Sequence, residues 1–297
     1  MIWLPATLFA ALFQAWRTAV QQRVRTELSL NAAGLVRYLY GLPVGCLMLW
    51  GYAHVRGGGL PTLGSSYLPY AALGGLAQLL ATNLLLMAFG YRNYVVGTAY
   101  AKTEAVQGAL LAMITLGEML SPLTWGGIAI GVVGVMIISS GGARLRIADV
   151  VQPAALCGLG AGFLFALTSI FVKASTFAVV TSDKVFAALI VLVAVQACQT
   201  LMQGSYVLWR ERSELPKIFK TWRISGQVGI LAALGSACWF TGFASAPVAL
   251  VRAVGQIEMI FTLGFAHFYL REPLKHREII GLLFVGIGVA VALAGSL

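Results

Sequence analysis

Ten apolar stretches dominate this chain, and their lengths leave it few ways to fold. They run approximately over residues 2–22, 33–54, 67–89, 94–116, 122–140, 152–172, 184–208, 226–245, 248–270 and 278–296. A single helix needs about 17–25 largely apolar residues to cross roughly 30 Å of hydrocarbon. Each stretch is long enough to do so. The longest gap between them, 209–225, is too short for a soluble domain. With 59% of its residues hydrophobic and only 10% charged, the chain lacks the polar surface of a water-soluble domain of this size. The expected fold class is an all-α membrane protein with ten transmembrane helices.

Other classes find little support. The four cysteines, Cys46, Cys157, Cys198 and Cys238, fall inside apolar stretches, where cysteine behaves as a small hydrophobe. The histidines, His54, His267 and His276, have no metal-ligand spacing, so neither a metal nor another cofactor is expected. No phosphate-binding GxxxxGK[ST] loop occurs, which excludes ATP-driven work by this chain alone. The first stretch lacks a basic leader and a small-residue cleavage site, so it reads as a retained helix.

The net charge of +10 is unevenly placed. Odd-numbered connections and their border hold Arg23, Arg25, Arg37, Arg92, Arg144, Arg146, Arg210, Arg212, Lys217, Lys220, Arg223, Arg271, Lys275 and Arg277. Even-numbered ones hold Arg56, Lys173 and Lys184, giving 14 against 3. Cytoplasmic loops collect Lys and Arg, so the bias places both termini outside. Lipid contact accounts for the basic loops, and without a compact basic module no nucleic acid is expected as a partner.

The two halves also match each other at an offset of 154 residues. Phe89, Glu104, Glu118, Leu120, Gly127 and Gly134 align with Phe243, Glu258, Glu272, Leu274, Gly281 and Gly288. The division falls at 1–146 and 147–297. Five helices per unit is an odd number, so the second copy enters the membrane from the opposite side. The result is an inverted repeat, a common plan among secondary transporters. Because one chain carries both copies, a monomer suffices.

Two five-helix units, each with an acidic junction (Leu116-Gly117-Glu118 and Leu270-Arg271-Glu272-Pro273-Leu274) before a glycine-spaced helix, resemble the EamA-type transporters of the drug/metabolite transporter superfamily. The resemblance implies a ten-helix fold in a bacterial inner membrane and transport, often export, of amino acids or other small metabolites. It also implies cytoplasmic termini, against the charge bias. The first-helix glutamate of small multidrug relatives is not carried over. Gln14 is the nearest polar residue, with Phe165 in the repeat-related region.

Charges at membrane depth cost on the order of 2.5–3.5 kcal/mol each on insertion scales, so each is a candidate functional group. Glu104 and Glu258 are expected near the middle of the fourth and ninth helices, with Lys102 and Arg252 close in sequence. Residues two apart on a helix point away from each other, so Lys102 is badly placed for Glu104. Pairing across the repeats, Lys102 with Glu258 or Arg252 with Glu104, is better. Such pairs could be structural neutralisation, a substrate or proton site, or a gate that is both. Tyr100, Gln107 and Gln256 join this candidate set. Gln14, Trp16, Thr18, Asn83, Thr168 and Trp239 are candidates to line a cavity, although helix–helix hydrogen bonding or interfacial anchoring would also explain them. Ser169, Gln196 and Gln199 are further polar residues within spans.

These features point to a secondary transporter of a small polar solute such as an amino acid, working by alternating access and coupled to protons. Transport of organic cations is the alternative within this class. An integral membrane enzyme lacks the interfacial acids, histidines or metal cluster it would need. A structural or sensory subunit would leave the buried acids unexplained.

Overall fold

The computed structural model describes residues 2–24, 26–57, 59–90, 100–139, 152–268 and 275–296. These form α1 (Trp3–Val24), α2 (Leu30–Leu39), α3 (Gly41–Arg56), β1 (Thr62–Leu63), α4 (Tyr67–Gly90), α5 (Glu104–Leu116), α6 (Pro122–Ser139), α7 (Pro153–Phe177), β2 (Val179–Val180), α8 (Lys184–Arg210), α9 (Leu215–Lys220), α10 (Trp222–Ser245), α11 (Val248–Gly255), α12 (Glu258–Phe268) and α13 (His276–Ala294). Among the described residues, eight helical spans are long and apolar enough to cross a membrane, Leu30–Arg56 and Val248–Phe265 each counting as one. The protein is thus an all-α membrane protein. α1 has the length, at 22 residues, but Gln14, Arg17, Gln21 and Gln22 keep it out of that group. The fourth expected span lies partly outside the described residues, leaving the short α5.

The chain packs as two compact units. One comprises Met1–Leu79 and Phe171–Ala246, the other Leu80–Ile170 and Pro247–Leu297. Each takes segments from both sequence halves. A sequence repeat and a compact unit are different kinds of division, the first a matter of pattern and the second of packing.

In the first unit, Val24, Leu28, Val36, Val207, Ile218 and Val228 form an apolar cluster. Beside it α8 presents Gln196, Gln199 and Gln203, all buried, at helical spacing along one face. Gln199 donates to the Gly75 carbonyl (3.2 Å) and to Gln78 Oε1 (2.7 Å), and Gln203 donates to the Asn31 carbonyl (3.0 Å). Gly34, Gly41 and Gly45 leave the space these amides fill: a Cβ at Gly34 would lie 2.6 Å from Gln203 Nε2. Gln199 therefore serves helix–helix bonding, the bland alternative for such residues.

Two basic residues sit differently from expectation. Lys173 lies inside α7 rather than in a connection. Its buried ammonium donates to the Ala246 carbonyl at the end of α10 (2.7 Å), satisfying a carbonyl that the helix end leaves open. Arg37, expected at the membrane border, is buried in α2 against the Tyr38 ring.

The connection before α2 is latched to the one after α8. Ser29 Oγ donates to Glu211, Asn31 Nδ2 donates to Glu211 Oε1 (2.6 Å), and the Ser29 N–H donates to Glu214 Oε2 (2.8 Å). Lys217 Nζ bonds Glu214 Oε1 at 2.6 Å. That bond, with the Ser29 N–H, holds the Glu214 carboxyl below its ordinary value of 4.5. A depressed carboxyl contributes stability that is complete above the ordinary value and lost as pH falls through the folded-state value. The thermal midpoint of wild-type protein should therefore drop on acidification more steeply than that of Glu214→Gln, with the curves converging at the acid end. Parallel curves in a pH series would refute this role.

In the second unit the glycines matched by the repeat pack crosswise. A Cβ at Gly127 would lie 2.6 Å from the Gly288 carbonyl oxygen, and one at Gly134 would lie 2.7 Å from that of Gly281. α6 and α13 thus meet backbone to backbone. Val135, Ile138 and Val285 close the seam on its apolar side.

Candidate functional site

The site begins with two irregular turns. Thr103 N–H bonds the Tyr100 carbonyl (3.1 Å), three residues back, just before α5 starts at Glu104. Between α11 and α12, the Gln256, Ile257, Met259 and Ile260 N–H groups likewise bond carbonyls three residues back, at 2.9–3.2 Å. This tightened, 3₁₀-like bonding interrupts each helix immediately before its acid. Glu104 and Glu258 are therefore not mid-helix residues, as expected, but the first residues of half-helices. There the positive end of the helix dipole favours a carboxylate.

The second compact unit contains both turns and brings four charges together. Lys102 Nζ lies 3.8 Å from Glu258 Oε2, and Arg252 Nη1 lies 3.4 Å from Glu104 Oε1. These are the two cross-repeat pairs expected from the sequence. Lys102 also interacts electrostatically with Glu104 and Arg252, so the four act as one neutral cluster. Their side chains are 10–25% exposed. At such partial burial each charge loses hydration and depends on its partner.

Arg252 is also held by α7. Its Nε and Nη2 donate to Ser169 Oγ (2.9 and 2.6 Å), and Nη2 donates to the Phe165 carbonyl (2.9 Å). Of the two adjacent hydroxyls on α7, Ser169 therefore reaches the cluster, while buried Thr168 turns back to the Leu164 carbonyl. Two glycines make room. A Cβ at Gly162 would lie 2.9 Å from the Ala101 carbonyl, pushing the Glu104 turn away, and Gly108 faces the Arg252 stem.

The remaining candidates divide. Gln107 Nε2 donates to Thr103 Oγ1 (2.8 Å), bracing the first turn. Tyr100 is buried against Ala155 and Leu159. Gln256 has its amide nitrogen and oxygen buried without a hydrogen-bond partner. Asn83 is half-buried on α4. Gln14, Trp16, Thr18 and Trp239 belong to the first compact unit. There Trp239 Nε1 donates to Gln14 Oε1 (3.0 Å), Thr18 donates to the Gln14 carbonyl, and Trp16 is exposed on α1. Glu118 accepts from the Val248 N–H at the start of α11 (2.8 Å), a capping contact. Its repeat partner Glu272 lies outside the described residues.

Residues 152–294 match the model of the EamA-like transporter family. That match falls on the second half of the chain. An EamA-like half beginning at α7 contributes Ser169, Arg252 and Glu258 to the cluster, while Lys102 and Glu104 precede it. No curated protein sequence matches the chain. One protein of known crystal structure shares the fold, with a TM-score of 0.75 and 16% identity over 99% of this chain and 95% of its own. The EamA match is consistent with a transporter of the drug/metabolite type, and the apolar helices with a protein integral to the membrane.

Proposed function

We propose that this protein is a secondary active transporter, an exporter of small zwitterionic metabolites such as amino acids, that alternates access around the Lys102–Glu258 and Arg252–Glu104 pairs. The observation that carries the reading is the crossing of those pairs between repeat-related turns. A zwitterion offers one ammonium and one carboxylate, enough to replace both partners of an opened pair without leaving a bare charge. A carboxylate released from its cation in such surroundings gains proton affinity, which gives a route to proton coupling.

The working topology is ten spans in two inverted repeats, 1–146 and 147–297, acting as a monomer. Four contacts support the parity of that count, because each joins segments that ten crossings put on one side. β1 in the second connection pairs with β2 in the sixth. Ser29 in the first meets Glu211 in the seventh. Glu118 in the fourth reaches Val248 in the eighth, and Ser121 donates to the Gly295 carbonyl near the C-terminus. The basic loops then face the cytoplasm of a bacterial inner membrane, with both termini outside.

Glu104→Gln and Glu258→Gln test the reading. Amino acids should raise the thermal midpoint of the wild-type protein by mass action. Either substitution should abolish that shift while leaving cooperative unfolding intact. A shift that persists in both variants would remove the acids from the site.

A further inference from the structure

We propose that Gln256 is the partner Glu104 takes when Arg252 releases it, so that the two turns exchange between a doubly ion-paired arrangement and one in which an amide replaces a cation. The proposal extends the transport reading, which gives the exchange its use.

The repeat offset of 154 aligns Lys102 with Gln256 as well as Glu104 with Glu258. Lys102 and Gln256 each open their tightened turn. In the structure the first half's turn residue, Lys102, reaches the second half's acid, Glu258. The repeat-equivalent contact is Gln256 with Glu104, and it is not made. Arg252 holds Glu104 instead, while the Gln256 Nε2 and Oε1 atoms are buried without partners. An unpaired buried amide destabilises the arrangement that contains it and calls for an explanation. In inverted repeats, a contact made by one half in one access state is made by the other half in the opposite state. That relation supplies the missing partner.

Three features make the exchange feasible. The Arg252–Glu104 contact, at 3.4 Å, is longer than the 2.6–2.9 Å bonds Arg252 makes to Ser169 and Phe165, so the guanidinium keeps partners when the acid leaves. Both turns already use the tighter bonding that a helix can rearrange locally. The Gln256 amide also rests in a notch that only glycine provides: a Cβ at Gly131 would lie 2.6 Å from its Oε1, and the nearest atoms to that Cβ all belong to Gln256.

The test is backbone hydrogen exchange of full-length protein in lipid nanodiscs without added solute, following peptides over 100–104 and 256–260. Gln256→Leu removes the unpaired amide and the exchange partner together. It should leave the thermal midpoint unchanged or raised and slow turn exchange by about tenfold or more, the factor expected for one hydrogen bond to a charged group. Gly131→Ala expels the amide from its notch and should speed exchange at the same peptides. A residue serving only packing would give both variants the same sign. Shifts in one direction, or no shift in either, would overturn the proposal. Because no solute is used, amino acids failing to bind would count against the transport reading alone.

Discussion

Valine in place of Gly288 should leave almost no monodisperse, folded protein after extraction. A Cβ at that position would lie 2.4 Å from the Gly131 nitrogen and 2.6 Å from its Cα. Both are helix backbone and cannot turn aside as a side chain can. To admit the methyl groups, α6 and α13 must separate along a seam that Gly127, Gly134 and Gly281 also keep narrow. In a membrane, helix association depends on such close packing because lipid is as apolar as the helix faces. The cost should be about 3 kcal/mol or more, at the upper end of overpacking. Gly286 on the same helix is the control, since a Cβ there meets nothing within 4 Å. Gly286→Val should stay within about 0.5 kcal/mol of wild type. Thermal unfolding in detergent separates the two, and equal midpoints would refute the seam.

Arg252→Leu should be nearly as damaging, for an electrostatic reason. It strips Glu104 of its cation and leaves Ser169 Oγ and the Phe165 carbonyl without their donor. Removing one member of a largely buried pair typically costs about 3–5 kcal/mol, and partial exposure puts the expectation near the lower figure. Arg252→Lys should recover only part of the loss, because one ammonium cannot span three partners that a planar guanidinium reaches together. Combining Arg252→Leu with Glu104→Leu should restore most of the stability and none of the transport. Strict additivity in that cycle would mean the two residues do not interact.

Much of this arrangement was legible in the sequence, for physical reasons. Span length reports on hydrocarbon thickness, so the all-α membrane class followed directly. The crossed pairs followed from helix geometry, which sets Lys102 away from Glu104, and from charge balance within the apolar segments. The glycine matches marked positions that the structure places in the α6–α13 seam, although the repeat offset alone does not say that they face one another. The tightened turns were hidden, because hydropathy reads residue type and not hydrogen-bond register, and no proline marks either interruption. Nor could the sequence tell Ser169 from Thr168, whose difference is only which way a hydroxyl faces on α7. Lys173 was misplaced for a related reason: its partner is the Ala246 carbonyl, 73 residues away, and a backbone carbonyl leaves no mark in side-chain chemistry. The Gln14–Trp239 bond, between residues 225 apart, was equally out of reach.

The most direct measurement of the central claim is counterflow of labelled amino acids in proteoliposomes carrying wild-type protein, Glu104→Gln or Glu258→Gln, with folding checked in parallel. Wild-type protein should exchange label, and both variants should fall to the level of empty liposomes while still unfolding cooperatively. Wild-type counterflow rates in both folded variants would contradict the account, because the crossed ion pairs would then have no part in transport.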